Sequence, residues 1–195
     1  SGNRNIYLRI SNYVNGDAKW VFKPILITAN TAYIYSDFYQ SNIATKVTAQ
    51  FTLNNGSTVN QFLVTTPKST SWKQLSTSFT TPSNAVMVTV FHSLGGTGYL
   101  TTDSFSLTLA TTPSPTPSLT PSPTPSLTPS PTPSPTPSLT PSPTPTPIPG
   151  NIIPNASLET VSPTNIQRPW QWVGQKSGVN TTTFSYLYTG RTGSR

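Results

Sequence analysis

The sequence predicts an all-β fold: a β-sandwich, a proline-rich spacer and part of a further β module. Two observations support the sandwich. Residues 5–109 are rich in Thr, Ser, Asn, Val and aromatic side chains, a composition that suits twisted strands better than helices. Within the same stretch, apolar and polar residues alternate in short segments separated by turn-forming residues, and no helical period appears. This spacing of short strands is typical of an all-β sandwich.

Eight strands follow from the alternation, at residues 6–10, 19–28, 32–40, 45–53, 58–65, 71–79, 85–92 and 99–109. Turns are predicted at Asn-Asn-Gly-Ser (54–57) and at Gly-Gly-Thr-Gly (95–98). Asn and Gly tolerate the positive φ that tight turns require, so we expect both segments to act as hairpin turns.

Side-chain alternation assigns the two faces of each strand. Ile6, Leu8 and Ile10 point to one side of the first strand, whereas Tyr7 and Arg9 point to the other. In the strand at 85–92 a valine face is predicted to enter the core, formed by Val86, Val88 and Val90. Antiparallel sheets commonly bury one face and leave the other in water, so the opposite face is available for a ligand.

A low-complexity segment separates the sandwich from the rest of the chain. Of the 22 prolines, 16 lie in residues 113–149, in an uncharged repeat of Pro-Ser-Pro-Thr and Pro-Ser-Leu-Thr units. Such a composition favours polyproline II, and ~40 residues at ~3.1 Å each span up to roughly 120 Å. Residues 111–150 are therefore predicted to be a disordered, stiff spacer, the alternative being a ligand for a proline-recognising domain.

The segment after the spacer is too short to form a domain alone. About 45 residues without cysteine cannot normally bury a core. Its last residues, Thr-Gly-Ser-Arg (192–195), resemble Ser-Gly-Asn-Arg (1–4). We therefore predict that the chain contains parts of two neighbouring modules in a tandem array. Residues 1–110 would form a sandwich that lacks its opening strands, and residues 151–195 would form the N-terminal part of a second, similar module. The alternative is strand complementation, in which residues 151–195 supply the missing strands to this chain or to a neighbouring chain.

The composition excludes several classes of function. The net charge is +7, but the eleven Lys and Arg residues are scattered singly, so no basic face for nucleic acid is expected. No apolar run approaches the ~20 residues that a membrane span needs, so no membrane insertion is predicted. Cysteine is absent, which excludes disulfides and thiol chemistry. The chain begins with serine and contains no signal peptide, which leaves open an export signal upstream.

Catalytic groups are sparse. A glycosidase needs two carboxylates about 5 to 10 Å apart, and the four acidic residues lie far apart in the sequence. His92 stands on a strand without a cysteine partner and is predicted to be a structural or surface residue. We therefore predict that this chain is not an enzyme, although the parent protein can carry a glycoside hydrolase domain elsewhere.

Four short motifs carry a family resemblance. They are Asn-Ile-Ile-Pro-Asn-Ala-Ser-Leu-Glu (151–159), Pro-Trp-Gln-Trp (169–172), Tyr-Ile-Tyr-Ser-Asp-Phe-Tyr (33–39) and Asp-Ser-Phe-Ser-Leu (103–107). Together they resemble carbohydrate-binding modules of families 4 and 9 (CenC type), within the galactose-binding-like superfamily, but in permuted order. The resemblance implies a jelly-roll β-sandwich that binds a polysaccharide, in an extracellular or cell-surface protein. A structural surface repeat or adhesin-like stalk that binds no sugar is the alternative.

Candidate ligand-binding residues follow from the aromatic content of the strands. Sugar rings stack their C–H faces on aromatic side chains while polar groups take the hydroxyls. Tyr35, Asp37 and Tyr39 share one side of their strand, and Trp20 is the fourth candidate. A buried, unpaired aspartate between two tyrosines is costly, so we expect this side to face solvent. In the other interpretation the tyrosines fill the sandwich; Trp72, Trp170 and Trp172 stay open to either role.

No cofactor is expected to be required, but the resemblance implies a structural calcium. Modules of this type hold it with one carboxylate near the opening segment and another on the last strand, which Glu159 and Asp103 match. Calcium takes six to eight oxygens, so backbone carbonyls would complete the site.

Overall fold

The computed structural model describes residues 4–110 and 150–189. These residues form one compact unit of eleven β-strands in two antiparallel sheets. The strands are β1 (Asn5–Tyr13), β2 (Asp17–Phe22), β3 (Ile25–Leu26), β4 (Ala32–Ser41), β5 (Thr45–Leu53), β6 (Thr58–Thr66), β7 (Ser69–Thr80), β8 (Ala85–Leu94), β9 (Gly98–Leu109), β10 (Trp172–Ser177) and β11 (Asn180–Leu187).

One sheet has five strands in the order β11-β1-β9-β4-β7, and the other has the order β10-β2-β8-β5-β6, with β3 paired to β8. The hydrophobic core lies between them, because alternate side chains of each strand point inward. The all-β prediction is therefore confirmed. Among the described residues no helix is long and apolar enough to span a membrane.

The predicted strands correspond closely to the observed ones. β5 begins and ends where the sequence predicted, at 45 and 53, and six others agree within a few residues. The predicted strand at 19–28 is instead divided into β2 and β3 around Pro24. Proline has no backbone N–H to donate to a sheet, and the chain bends there. Beside it, Lys23 N donates to Gln171 O (2.8 Å) instead of to a neighbouring strand of the sheet.

The two predicted turns have different roles. At 54–57 a hairpin joins β5 to β6, with Gly56 at φ +82° and its N–H donating to Leu53 O (2.9 Å). The segment at 95–98 instead carries the chain from β8, in one sheet, to β9, in the other. Its prediction as a hairpin turn was wrong, because glycines mark a tight change of direction but do not specify which strands pair.

Side-chain alternation assigned the faces of β1 correctly. Ile6, Leu8 and Ile10 are buried, whereas Tyr7 is half-buried and Arg9 is exposed. Val88 and Val90 lie in the core as predicted, while Val86 is only half-buried. Residues on the other side of β8 are covered as well, since Thr89 Oγ1 donates to Phe22 O (3.0 Å) and Lys19 lies over the Phe91 ring.

The segment 150–189 belongs to the same sandwich as residues 4–110. β10 pairs with β2 and β11 pairs with β1, so the segment adds one edge strand to each sheet. The sequence predicted instead that the two segments belong to different modules. In this structure they are folded together, because β1 and β2 would otherwise present bare edges. The array itself stays a prediction, and the predicted spacer lies outside the described residues except for Gly150.

Candidate functional site

The four residues predicted to bind a ligand lie inside the sandwich. Tyr35 and Asp37 have no exposed surface, and Tyr39 and Trp20 are also buried. The alternation along β4 was predicted correctly, but the face was inverted: Ile34, Ser36 and Phe38 point outward. A surface ligand therefore cannot reach the predicted set, and the expectation of a solvent-facing Asp37 was wrong.

Asp37 can be buried because a distant strand supplies its partner. Its Oδ2 accepts hydrogen bonds from Tyr35 OH and from His92 Nδ1, both at 2.9 Å. His92 Nε2 lies 2.6 Å from Thr45 Oγ1 and 3.2 Å from Thr66 Oγ1, which completes a network across the four strands β4, β8, β5 and β6. Because buried polar groups are tolerated when they are hydrogen-bonded, this network reduces the penalty assumed in the sequence argument.

The other two predicted residues also have internal roles. Tyr39 OH donates to Pro67 O (3.1 Å), and its ring lies 5.2 Å from the His92 ring. Trp20 Nε1 donates to Tyr7 O (3.1 Å), and its ring meets Phe184 edge-on at 5.4 Å. Both side chains therefore pack inside the sandwich and do not form part of its solvent-facing surface.

Burial of Tyr35 predicts a dependence of stability on alkaline pH. Burial, with the neighbouring Asp37 charge, raises the pKa of Tyr35 well above its usual value. Above about pH 10 the unfolded chain releases this proton while the native state keeps it, so stability falls as pH rises. Above about pH 10, we expect the unfolding free energy of Tyr35→Phe to fall less steeply with pH than that of the parent, by up to about 1.4 kcal/mol per pH unit. Urea unfolding at a series of pH values measures both slopes. The exposed Tyr188→Phe is the control, and equal slopes for both variants would contradict the assignment.

The outer face of the five-stranded sheet presents aromatic side chains to solvent. Tyr7 on β1 and Tyr99 on β9 are both half-buried, with ring centroids 6.1 Å apart and planes 20° apart. The strand register sets Tyr7 opposite Thr101 and Arg9 opposite Tyr99, so the four side chains share this face. We call these two nearly parallel rings the aromatic platform; they lie on the same face as the exposed Arg9 side chain.

This platform continues across neighbouring strands. The register runs from Ser185 through Tyr7 and Thr101 to Gln40, crossing β11, β1, β9 and β4. Trp72 on β7 is half-buried and lies on the same face by alternation. Five strands spaced ~4.8 Å apart make this row about 19 Å long. Thr101 lies in this row but is only 7% exposed. We call the set Tyr7, Arg9, Gln40, Trp72 and Tyr99 the outer strip.

A cavity of about 370 Å³ opens at one end of the outer strip. Its lining includes Tyr7, Arg9, Ser11, Asn42 and Tyr99. Asn42 Oδ1 accepts a hydrogen bond from Tyr99 N (2.7 Å), which ties the loop after β4 to the start of β9. The cavity thus combines aromatic surface with several hydrogen-bonding side chains.

A larger cavity of about 570 Å³ lies beside β11 and is lined by residues such as Ile166, Phe184, Tyr186 and Tyr188. Its tyrosine rings already have a partner, because the Arg4 guanidinium lies 3.8 Å from the Tyr188 centroid and 4.8 Å from that of Tyr186. Arg4 also donates to Tyr188 OH (2.6 Å). The outer strip extends across several strands and combines aromatic rings with hydrogen-bonding side chains, and it is therefore the stronger candidate.

The predicted calcium ligands lie in different surroundings. Asp103 is buried, and its Oδ1 accepts from Ser104 N (2.6 Å) at a bulge in β9 where Ser104 has φ +54°. Glu159 is exposed, and its Oε1 accepts from Arg4 N (3.1 Å). Across residues 4–110 and 150–189, no three His, Cys, Asp or Glu side chains gather in a group able to hold a metal ion. The calcium site stays a prediction.

Sequence reasoning found only part of the outer strip. It set Tyr7 and Arg9 on the outward side of β1, which the structure confirms. It did not single out Tyr99 or Gln40, and it left Trp72 unassigned. These residues come together only through the pairing of β1 with β9 and of β9 with β4, which no local pattern reveals.

Comparison with known proteins gives the fold but no family. No protein-family profile matches this chain, and no curated protein matches its sequence. Among solved structures it is similar to the carbohydrate-binding module of PbXyn10C in its apo form, with a TM-score of 0.54 and 12% identity over 96% of this chain and 89% of that one.

Two further solved structures are similar to this chain. One is a CBM4 module, with 15% identity over 53% of this chain and 70% of that one and a TM-score of 0.42. The other is a family 16 carbohydrate-binding module, with 18% identity over 51% of this chain and 73% of that one and a TM-score of 0.38. The PbXyn10C comparison carries the conclusion. The chain has the jelly-roll β-sandwich fold of a carbohydrate-binding module.

Proposed function

We propose that this chain is a non-catalytic polysaccharide-binding module whose ligand lies along the outer strip. The observation that carries the proposal is the stacked pair Tyr7 and Tyr99 on the outer face of the five-stranded sheet. The fold shared with the PbXyn10C module supports it. An extracellular or cell-surface location, and attachment to a glycoside hydrolase in the parent protein, belong to the same proposal.

The chemistry of the outer strip suits a sugar chain. Tyrosine and tryptophan rings accept the apolar C–H faces of pyranose rings, as aromatic platforms do in many ligand sites. Arg9 and Gln40 can donate to sugar hydroxyls, and Gln40 can also accept from them. Because the strip crosses several strands, it suits an extended chain better than a single small sugar.

The acidic residues support a non-catalytic role. Asp37 is buried and engaged by Tyr35 and His92, and Asp17 forms an ion pair with Lys19 at 3.0 Å. Asp103 is also buried, and Glu159 accepts from a backbone N–H. None of these four carboxylates belongs to the outer strip, where a glycosidase working on the bound chain would need them.

A polar patch beside the strip favours the second candidate, a structural surface repeat without sugar binding. Ser36 lies opposite Ser76 on β7 and Ser106 on β9, and Ser78 lies opposite Ile34. This part of the outer face carries small hydroxyl side chains. A domain that serves only as a structural unit of a stalk would need no other surface.

Substitution of the platform separates the two candidates. We expect Tyr7→Ala and Tyr99→Ala each to weaken retention by a binding polysaccharide at least about tenfold, since buried aromatic anchors dominate binding energy. Trp72→Ala should weaken it in the same direction. Retention is measured by affinity gel electrophoresis of the full chain against soluble xylan and β-glucan, and by pull-down on cellulose and bacterial wall glycans.

Phe62→Ala provides the matched control, because Phe62 is 58% exposed on β6 of the other sheet. It should leave retention unchanged. If none of the polymers retains a folded sample of the full chain, the structural-repeat function replaces the binding function. If a polymer binds but Tyr7→Ala and Tyr99→Ala are retained like the parent, the outer strip is not the site.

A further inference from the structure

The segment 150–189 contributes an edge strand to each sheet of the sandwich. β10 pairs with β2 from Trp172↔Phe22 to Ser177↔Asp17, and β11 pairs with β1 from Asn5↔Leu187 to Tyr13↔Asn180. On its other side, β2 pairs with β8, and β1 pairs with β9. Removing the segment would therefore expose one bare strand edge on each sheet, which is the arrangement that recruits another strand.

The segment also completes the core. Trp172 is 2% exposed, and its ring lies 5.4 Å from Phe22 and 4.5 Å from Phe105. Leu158 and Ile153 are buried in the same cluster. Residues 4–110 thus lack part of their core without this segment, and its apolar side chains have no cover without residues 4–110.

The connection between the two parts is long compared with the gap that it must close. Ile152 N donates to Leu107 O (3.0 Å), and Leu107 N donates to Asn151 Oδ1 (3.0 Å), so the segment begins beside the end of β9. Thirty-nine residues of sequence, 111–149, nevertheless lie between Ala110 and Gly150. A connection of this length lowers the effective concentration of the segment near its own sandwich.

Every contact of the segment with residues 4–110 can be made equally with residues 4–110 of an identical chain. Exchange of an identical element between copies preserves all contacts and is a low-cost route to oligomers. We propose that residues 150–189 act as a donor segment that completes the sandwich of a second copy of this chain, so that the protein forms segment-exchanged dimers at high concentration. This inference does not depend on sugar binding.

Engineered cysteines test which chain supplies the segment, since the native chain has none. Asn12 on β1 and Thr181 on β11 are exposed register partners. Cα atoms of opposite residues in antiparallel strands lie ~4.5–5.5 Å apart, within the range that a disulfide spans. Chains carrying Asn12→Cys are mixed with chains of different mass carrying Thr181→Cys, unfolded together in urea and refolded at high concentration under oxidising conditions.

The expected product is a disulfide-linked dimer with one chain of each kind, whose share rises with protein concentration. A mixture of Asn12→Cys with Phe62→Cys, on the other sheet, measures random cross-linking. The double variant Asn12→Cys/Thr181→Cys in one chain checks the register. Trp172→Ala in the donor chain should lower the dimer yield, whereas Trp170→Ala should not.

Two outcomes would overturn the proposal. In the first, the double variant forms its disulfide within one chain, but the mixture gives no more dimer than the Phe62→Cys control; the segment then serves only its own sandwich. In the second, the double variant forms no disulfide at all, and the pairing of β1 with β11 is itself incorrect. Neither outcome bears on the sugar-binding proposal, which the retention experiments test separately.

Discussion

Asp37→Ala is expected to lower the free energy of unfolding by about 3–5 kcal/mol, because it removes the acceptor shared by two buried donors. Tyr35 OH and His92 Nδ1 both donate to Asp37 Oδ2, and neither side chain has access to water in the folded state. Asp37 Oδ1 has no hydrogen-bond partner within the described parts of the chain, so both of these hydrogen bonds of the carboxylate are made by Oδ2. Urea unfolding followed by tryptophan fluorescence at neutral pH measures the change.

The control for Asp37→Ala is Asp17→Ala, which removes the partly exposed ion pair with Lys19. Exposed pairs contribute about 0–1 kcal/mol, so this variant should unfold close to the parent. An Asp37→Ala variant whose unfolding free energy stays within about 1 kcal/mol of the parent would show that the network is not important for stability.

Trp172→Ala is expected to cost about 3–5 kcal/mol, the usual range for removing a large aromatic side chain from a core. The indole fills the space between Phe22 and Phe105, and its Nε1 donates to Pro154 O (3.2 Å). Loss of this anchor should also loosen the whole segment 150–189. Hydrogen exchange should therefore quicken in β10 and β11 more than in β5 and β8.

Trp170→Ala is the matched control, because the same residue type two positions earlier is 42% exposed. Its backbone N–H still donates to Thr160 O (2.8 Å) after the substitution. We expect a change below about 1 kcal/mol and unchanged exchange in β10 and β11. If both tryptophan variants behave alike, the segment is not held by the Trp172 contacts.

Local patterns in the sequence predicted most of the strands. β5 follows from regular alternation bounded by turn residues, and the inward face of β1 follows from Ile6, Leu8 and Ile10. Both depend on the period of two that a strand imposes on its side chains. The boundary at Pro24 was missed because the apolar run continues across it, although proline cannot donate to a sheet.

The candidate site was predicted less well, and β4 shows why. Alternation separates Tyr35, Asp37 and Tyr39 from their neighbours, but it does not say which set points inward. The polarity of Asp37 favoured the outer face until its partner was known. That partner, His92, lies 55 residues away on another sheet, so its contact with Asp37 is created only by the packing of the two sheets.

The sequence by itself determined the all-β class, most strand positions and the outward side of Tyr7. These properties depend on composition and on short periods along the chain. Only the tertiary structure decided that Asp37 is buried, that Tyr7 meets Tyr99, and that residues 150–189 supply an edge to each sheet. Each of these joins residues far apart in sequence, and such pairings result from the free energy of the whole sandwich rather than from any local segment.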